Sequence, residues 1–166
     1  MNKRVTIEKG LVKPLLKGED VHRYDNLSSN RYVIFPYKLE NETANLYAEE
    51  ELKLLFPNGY AYLKECETLL RGREKGRFDI DGQWFQFGRR QGLSYGNIPK
   101  IVAPEISFGG NYAFDVSGQF YSTTKIYGYI LKSSMIQYGY NFFLGLLNSS
   151  LFWFFIQNTG YVLRGG

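Results

Sequence analysis

The spacing of apolar residues switches twice along the chain, and that alternation restricts the fold more than any other feature. Between Leu46 and Leu70 apolar side chains recur at helical intervals: Leu46, Tyr47, Leu52, Leu54 and Leu55, then Tyr62, Leu63, Cys66, Leu69 and Leu70. Two helices broken near Pro57 are expected there. The second should end in "RGREKGR", where Gly72 and Gly76 stop it and the cations complement its negative end. Ahead of the helices, "RYVIFPY" (Arg31–Tyr37) reads as a strand closed by Pro36. From Lys100 the pattern becomes β, with "KIVAPEIS", "YAFDVSGQFYS" and "KIYGYILK" as short apolar or aromatic runs and "DVSG" (Asp115–Gly118) as a hairpin turn. After Tyr138 helical character returns, first through Leu147 and then in a second helix capped by Ser149 or Ser150 and ending at Asn158 to Gly160. Strand, helices, strands, helices is the order of an α+β protein rather than of βαβ units. The expected architecture is an antiparallel, curved β-sheet with flanking helices and a C-terminal helical pair.

A chain of 166 residues can bury a core without staples, and one domain over 1–166 is expected. The single cysteine, Cys66, has no internal disulfide partner, and one Cys with one His offers no zinc spacing, which favours a reducing compartment. The N-terminus "MNKRVTIEKG" is charged and lacks the apolar run of a signal peptide, so a cytoplasmic location is expected. The most apolar stretch, "FFLGLLNSSLFWFFI" (Phe142–Ile156), is interrupted by Asn148, Ser149 and Ser150 and is shorter than the ~18 residues of a membrane span. It reads as buried core, with no membrane partner.

Charge is segregated. Residues 1–39 carry eight Lys/Arg against four Asp/Glu, residues 40–70 two against seven, and residues 84–166 six against two. An acidic block between basic ones implies one face that attracts a polyanion and another turned away from it. "WFQFGRRQGL" (Trp84–Leu93) adds an adjacent cation pair, Arg89 and Arg90, between two glycines and two glutamines. Such a loop is either a solvated turn or a site for an anionic, hydrogen-bonding partner, because a guanidinium fork fits phosphates and guanine edges. Further candidates for a binding surface are Lys13, Lys17, Arg23, the "RGREKGR" cations, Gln86, Gln91, Lys100 and Lys125: lysines and arginines for phosphates, Arg and Gln also for base edges.

Catalytic signatures are weak. His22 is the lone histidine and reads as structural or superficial. Asp79 and Asp81 with Glu105 are the residues a metal-dependent nuclease would use, although Gly82 points to a turn. There is no Walker loop or dinucleotide fingerprint, and no Asn-Pro-Pro-Tyr quartet; "FPY" (Phe35–Tyr37) lacks the amide. No catalysis is inferred. An aromatic-rich carbohydrate-binding module, with Trp84, Tyr112, Tyr121 and Tyr127 as platform, is the other alternative.

Seven motifs taken together carry a resemblance: "KPLLKGEDVHRY" (Lys13–Tyr24), "YVIFPY", "LLRGRE", "WFQFGRRQGL", "PKIVAPEIS" (Pro99–Ser107), "FYSTTKIYGYI" (Phe120–Ile130) and "FLGLLNSSLFWFFIQNTG". In this order the chain resembles the TaqI-like C-terminal specificity domain, the target-recognition module of adenine-N6 DNA methyltransferases in restriction–modification systems. The resemblance runs from about Lys13 onward. It implies sequence-specific recognition of duplex DNA, with the target adenine presented to a methyltransferase domain in the same or a companion chain. It places S-adenosylmethionine and the catalytic quartet in that other domain, and no cofactor in this chain. Lys17 to Arg23 match the entry from the catalytic domain. Phe87, Gly88 and Arg89 match the family's DNA-facing Tyr/Phe-Gly-Arg element, and Arg90 stands where many relatives have proline. Arg89 and Arg90 are then expected to clamp or read DNA, Gln86 and Gln91 to read adenine, and Lys125 to contact phosphate. Asn148 to Ser150 are expected to cap rather than to read bases.

Overall fold

A computed structural model describes residues 3–123 and 125–160. The chain is α+β and divides into two compact units, one from residues 3–13 and 32–96 and one from 14–31 and 97–160.

The first unit opens its long segment with strand β2 (Tyr32–Ile34), and Pro36 separates it from β3 (Tyr37–Glu40). β3 turns directly into β4 (Thr43–Leu46), so Leu46 belongs to a strand and not to the following helix. The turn residues Asn41 and Glu42 both have positive φ, 48° and 60°, as a two-residue hairpin of right-handed twist requires. Four short helices follow: α1 (Glu49–Leu55), α2 (Pro57–Glu65), α3 (Glu67–Arg71) and α4 (Arg73–Gly76). Three glutamates in the first turn of α1 complement its positive end, and Pro57 opens α2 at the position that needs no N–H. The expected second helix is thus broken at Cys66, and Glu74 and Lys75 adopt left-handed backbone within α4. Leu11, Leu52, Leu63, Trp84 and Phe85 form the core of this unit. Each such side chain removed from water contributes roughly 1.5–3 kcal/mol.

The second unit is built on β5 (Lys100–Pro104), which pairs antiparallel with β6 (Ala113–Asp115) on one side and β8 (Ile126–Tyr129) on the other. Central position explains why β5 reads as a continuous apolar run: it is buried from Lys100 to Ala103. β7 (Tyr121–Ser122) pairs instead with Leu15 and Leu16 of β1 (Val12–Leu16), in parallel. "DVSG" is therefore a turn but not a hairpin, because β6 and β7 do not pair with each other. Gly118 there has φ +66°, and an added Cβ would lie 2.6 Å from the Ile98 carbonyl carbon. Gly118→Ala is expected to cost about 1–3 kcal/mol in chemical denaturation, from backbone strain and overlap together. Leu16, Val21, Val102, Ala113, Phe120 and Ile126 make the core of this unit.

The C-terminal helical pair is α5 (Gly139–Leu147) and α6 (Ser150–Thr159), with the Ser149 hydroxyl accepting the Phe152 N–H at 3.1 Å. The expectation that this segment is buried core is corrected. No residue within either helix is buried, and Phe142, Leu151, Phe154 and Phe155 are more than half exposed. Among the described residues, no single helix is long and apolar enough to cross a membrane.

Candidate nucleic-acid interface

In the first unit the loop holding Arg89 and Arg90 is pinned from behind. Arg73 reaches from the end of the helical segment and donates to the carbonyls of Leu70, Trp84 and Gln86 at 2.9, 3.0 and 2.9 Å. The Phe87 ring lies against Phe35 and Tyr37, with centroids 5.9 and 5.2 Å away, and its N–H donates to the Tyr37 hydroxyl at 2.6 Å. Burial holds that phenol above its ordinary range, so it stays neutral at physiological pH. At Gly88 an added Cβ would lie 2.9 Å from Glu74 Oε1 and 3.4 Å from the Phe78 ring, so a side chain there would push the exposed Glu74 carboxylate aside. Past this anchor Arg89, Arg90 and Gln91 are exposed, and Gly92, at φ +78°, turns the chain into a 3-10 segment (Leu93–Asn97). Among the described residues, no carboxylate lies within ion-pair distance of Arg89 or Arg90.

The neighbouring cations are used differently. Arg71 bonds Glu67 at 2.9 Å, Asp79 at 2.8 Å and Asp81 at 3.0 Å, and Arg77 pairs with Glu74. The "RGREKGR" run is thus largely a set of internal struts. The two aspartates of "FDIDG" serve the same lattice, while Glu105 pairs with Lys125 in the second unit. Among the described residues, no group of three or more His, Cys, Asp or Glu is placed to hold a metal ion.

Two of the candidate DNA contacts, Gln86 and Lys100, are buried. Gln86 is buried, with 8% of its surface exposed, because it follows Trp84 and Phe85 into the core of its unit. Lys100 is 6% exposed; its ammonium donates to Asp115 at 3.0 Å across the β5–β6 register and to the Ile98 carbonyl at 3.3 Å. Neither side chain is available at the surface. The platform proposed for a carbohydrate is also broken, since Trp84 and Tyr121 are buried at 0% and 7%.

In the second unit, Lys17, Arg23 and Lys125 are exposed. Gly18, Val21, His22, Asn111 and Lys125 line one recess of about 300 Å³, which brings the Lys17–Arg23 segment and Lys125 to the same opening. Lys125 pairs with Glu105 at 2.8 Å, an exposed contact worth little and free to rearrange. Arg23 donates to the Asn148 carbonyl at 2.6 Å. The Asn148 side chain is itself occupied, accepting from the Tyr112 N–H at 3.0 Å and donating to the Tyr112 carbonyl at 2.9 Å. The Lys17 turn is fixed by Asp20, which accepts the Lys17 N–H at 2.7 Å and Arg31 at 2.7 and 2.8 Å.

Burial raises the Asp20 carboxyl, but the Lys17 N–H and Arg31 outweigh it and hold the group below its ordinary 3.8. A depressed carboxyl stabilises the fold above its unfolded value and loses that contribution as pH falls through the folded one. Acid unfolding monitored by circular dichroism is expected to show this loss, and Asp20→Asn to remove it.

The chain matches the TaqI-like C-terminal specificity domain over residues 13–165, and it belongs to that family. It is similar to the Type II restriction enzyme and methyltransferase RM.Eco57I of Escherichia coli, with 25% identity over 170 residues. The alignment takes in 96% of this chain but only 17% of that relative, so the chain spans less than a fifth of its length.

Proposed function

We propose that this chain recognises a specific sequence in duplex DNA and positions a target adenine for a separate N6-adenine methyltransferase domain, in the same or a companion chain of a restriction–modification enzyme. The observation that carries this reading is the exposed Arg89–Arg90 pair, free of carboxylates and held on an anchored loop in a member of a specificity-domain family. Arg89 and Arg90 grip the backbone or read guanine edges, and Gln91 is placed to read adenine. Lys17, Arg23 and Lys125 contact phosphates. The chain performs no catalysis; S-adenosylmethionine binds the methyltransferase domain, and the assembly works in the cytoplasm.

The test is the salt dependence of binding to duplex DNA. Affinity is expected to fall steeply as salt rises, since neutralised phosphates release counterions. Lys17→Gln or Lys125→Gln should each weaken binding to all sequences alike and lower the slope of log affinity against log salt by about 1. Binding indifferent to salt would support a sugar ligand instead.

A further inference from the structure

A second recess of the C-terminal unit, about 190 Å³, adjoins the first through Pro104 and Glu105 and is walled by aromatic rings: Tyr112, Tyr127, Tyr129, Phe152 and Trp153. Tyr127 and Tyr129 stand two residues apart on β8, so they project from the same face of the sheet. They remain 50% and 43% exposed, more than core packing requires. Tyr112 ties them to the helical pair, with its ring centroid 6.0 Å from Tyr129 and 6.2 Å from Phe152. The two hydrogen bonds between the Asn148 side chain and the Tyr112 backbone, one in each direction, hold that wall in place. The recess is smaller than the ~300–1,000 Å³ of sites for drug-sized ligands, and it suits one flat ring system better than an oligosaccharide.

Its chemistry is not purely apolar. Glu105 lines both recesses; its Oε2 accepts from Lys125 Nζ at 2.8 Å, and the carboxylate has further acceptor capacity. An acceptor beside a wall of aromatic rings favours a ligand that carries an exocyclic amino group. An ammonium at the adjoining opening favours one that also carries a phosphate, and Lys125 has donors for both.

We infer that the paired recesses take one nucleotide lifted out of the DNA stack. Its base lies among Tyr112, Tyr127 and Tyr129, with the amino group of a cytosine or adenine donating to Glu105, and its phosphate meets Lys125. Aromatic faces bind any unstacked base, and the carboxylate supplies the preference. The inference rests on the reading of this chain as a DNA-recognition module.

Three labelled probes test it: a fully paired duplex, the same duplex with one bulged cytosine, and the same duplex with one bulged thymine. Bulged cytosine should bind about five-fold or more tightly than the paired duplex, the scale of one base stacked on a protein ring. Tyr127→Ala should abolish that gain and Tyr127→Phe should keep it. Glu105→Ala, which removes the acceptor, should bring cytosine down to the level of thymine. Equal affinity for bulged and paired duplexes, a gain that survives Tyr127→Ala, or displacement of the bulged duplex by a neutral oligosaccharide would overturn the assignment. Should the paired duplex bind with a steep salt dependence and no bulge gain appear, the pocket alone is refuted. Should no duplex bind in any form, the DNA-recognition reading falls with it.

Discussion

Asp115→Ala is expected to lower the free energy of unfolding by about 3–5 kcal/mol, read as a shift of the denaturation midpoint at unchanged slope. Asp115 is 2% exposed and gathers three donors: Lys100 Nζ at 3.0 Å, the Phe120 N–H at 3.1 Å and the Ser117 hydroxyl at 3.2 Å. Its removal takes the counter-charge from the buried Lys100 ammonium at the start of β5 and leaves the Ile98 carbonyl as an acceptor. The cost comes less from the lost attraction than from a buried charge left without its Asp115 counter-ion. Lys100→Met combined with Asp115→Ala should recover most of the loss, since it removes both charges together. About 1–3 kcal/mol should remain for the Phe120 N–H left without its acceptor.

Replacing both Arg89 and Arg90 by alanine is expected to weaken DNA binding by about 5- to 150-fold, the equivalent of ~1–3 kcal/mol, while stability changes by less than ~0.5 kcal/mol. The two effects separate because neither guanidinium is committed within the fold, whereas Phe87 and Arg73 hold the loop whether or not the cations are present. Arg73→Ala offers the contrast. It should lower stability by releasing the carbonyls of Trp84 and Gln86, and should affect DNA only through the loop's position. A binding titration and a denaturation curve on each variant distinguish these roles.

The sequence disclosed elements whose signals are local and missed those set by distant partners. The Ser149 cap and the α5–α6 break are readable because a hydroxyl three residues before its N–H partner is a local arrangement. The β5 run is readable because a central strand is apolar along most of its length, here Ile101 to Ala103. The β3–β4 hairpin is not, since its turn uses Asn41 and Glu42 rather than a glycine. Lys100 reads as a surface cation because its partner sits fifteen residues away and meets it only through strand register. Gln86 is hidden by the packing of Trp84 and Phe85, which a linear string does not reveal. The apolar 142–156 stretch was legible as helices but not as exposed ones, because composition records a need for burial and not what supplies it. Of the candidate contacts, Lys17, Arg23, Arg89, Arg90, Gln91 and Lys125 are exposed and lie in loops and turns. There the chain's own elements make the fewest demands on a side chain.

The most direct test is photocrosslinking to DNA from position 89 of the intact protein, with position 54 as the control. Leu54 is 80% exposed on α1, whose first turn holds three glutamates, so it is as accessible as the loop but set in acidic surroundings. A photoreactive side chain at 89 should attach to duplex DNA and lose the adduct when salt or excess unlabelled duplex is added, while one at 54 should leave the DNA unmodified. Equal labelling from both positions, or none from 89 under conditions where the protein binds DNA, would contradict the account.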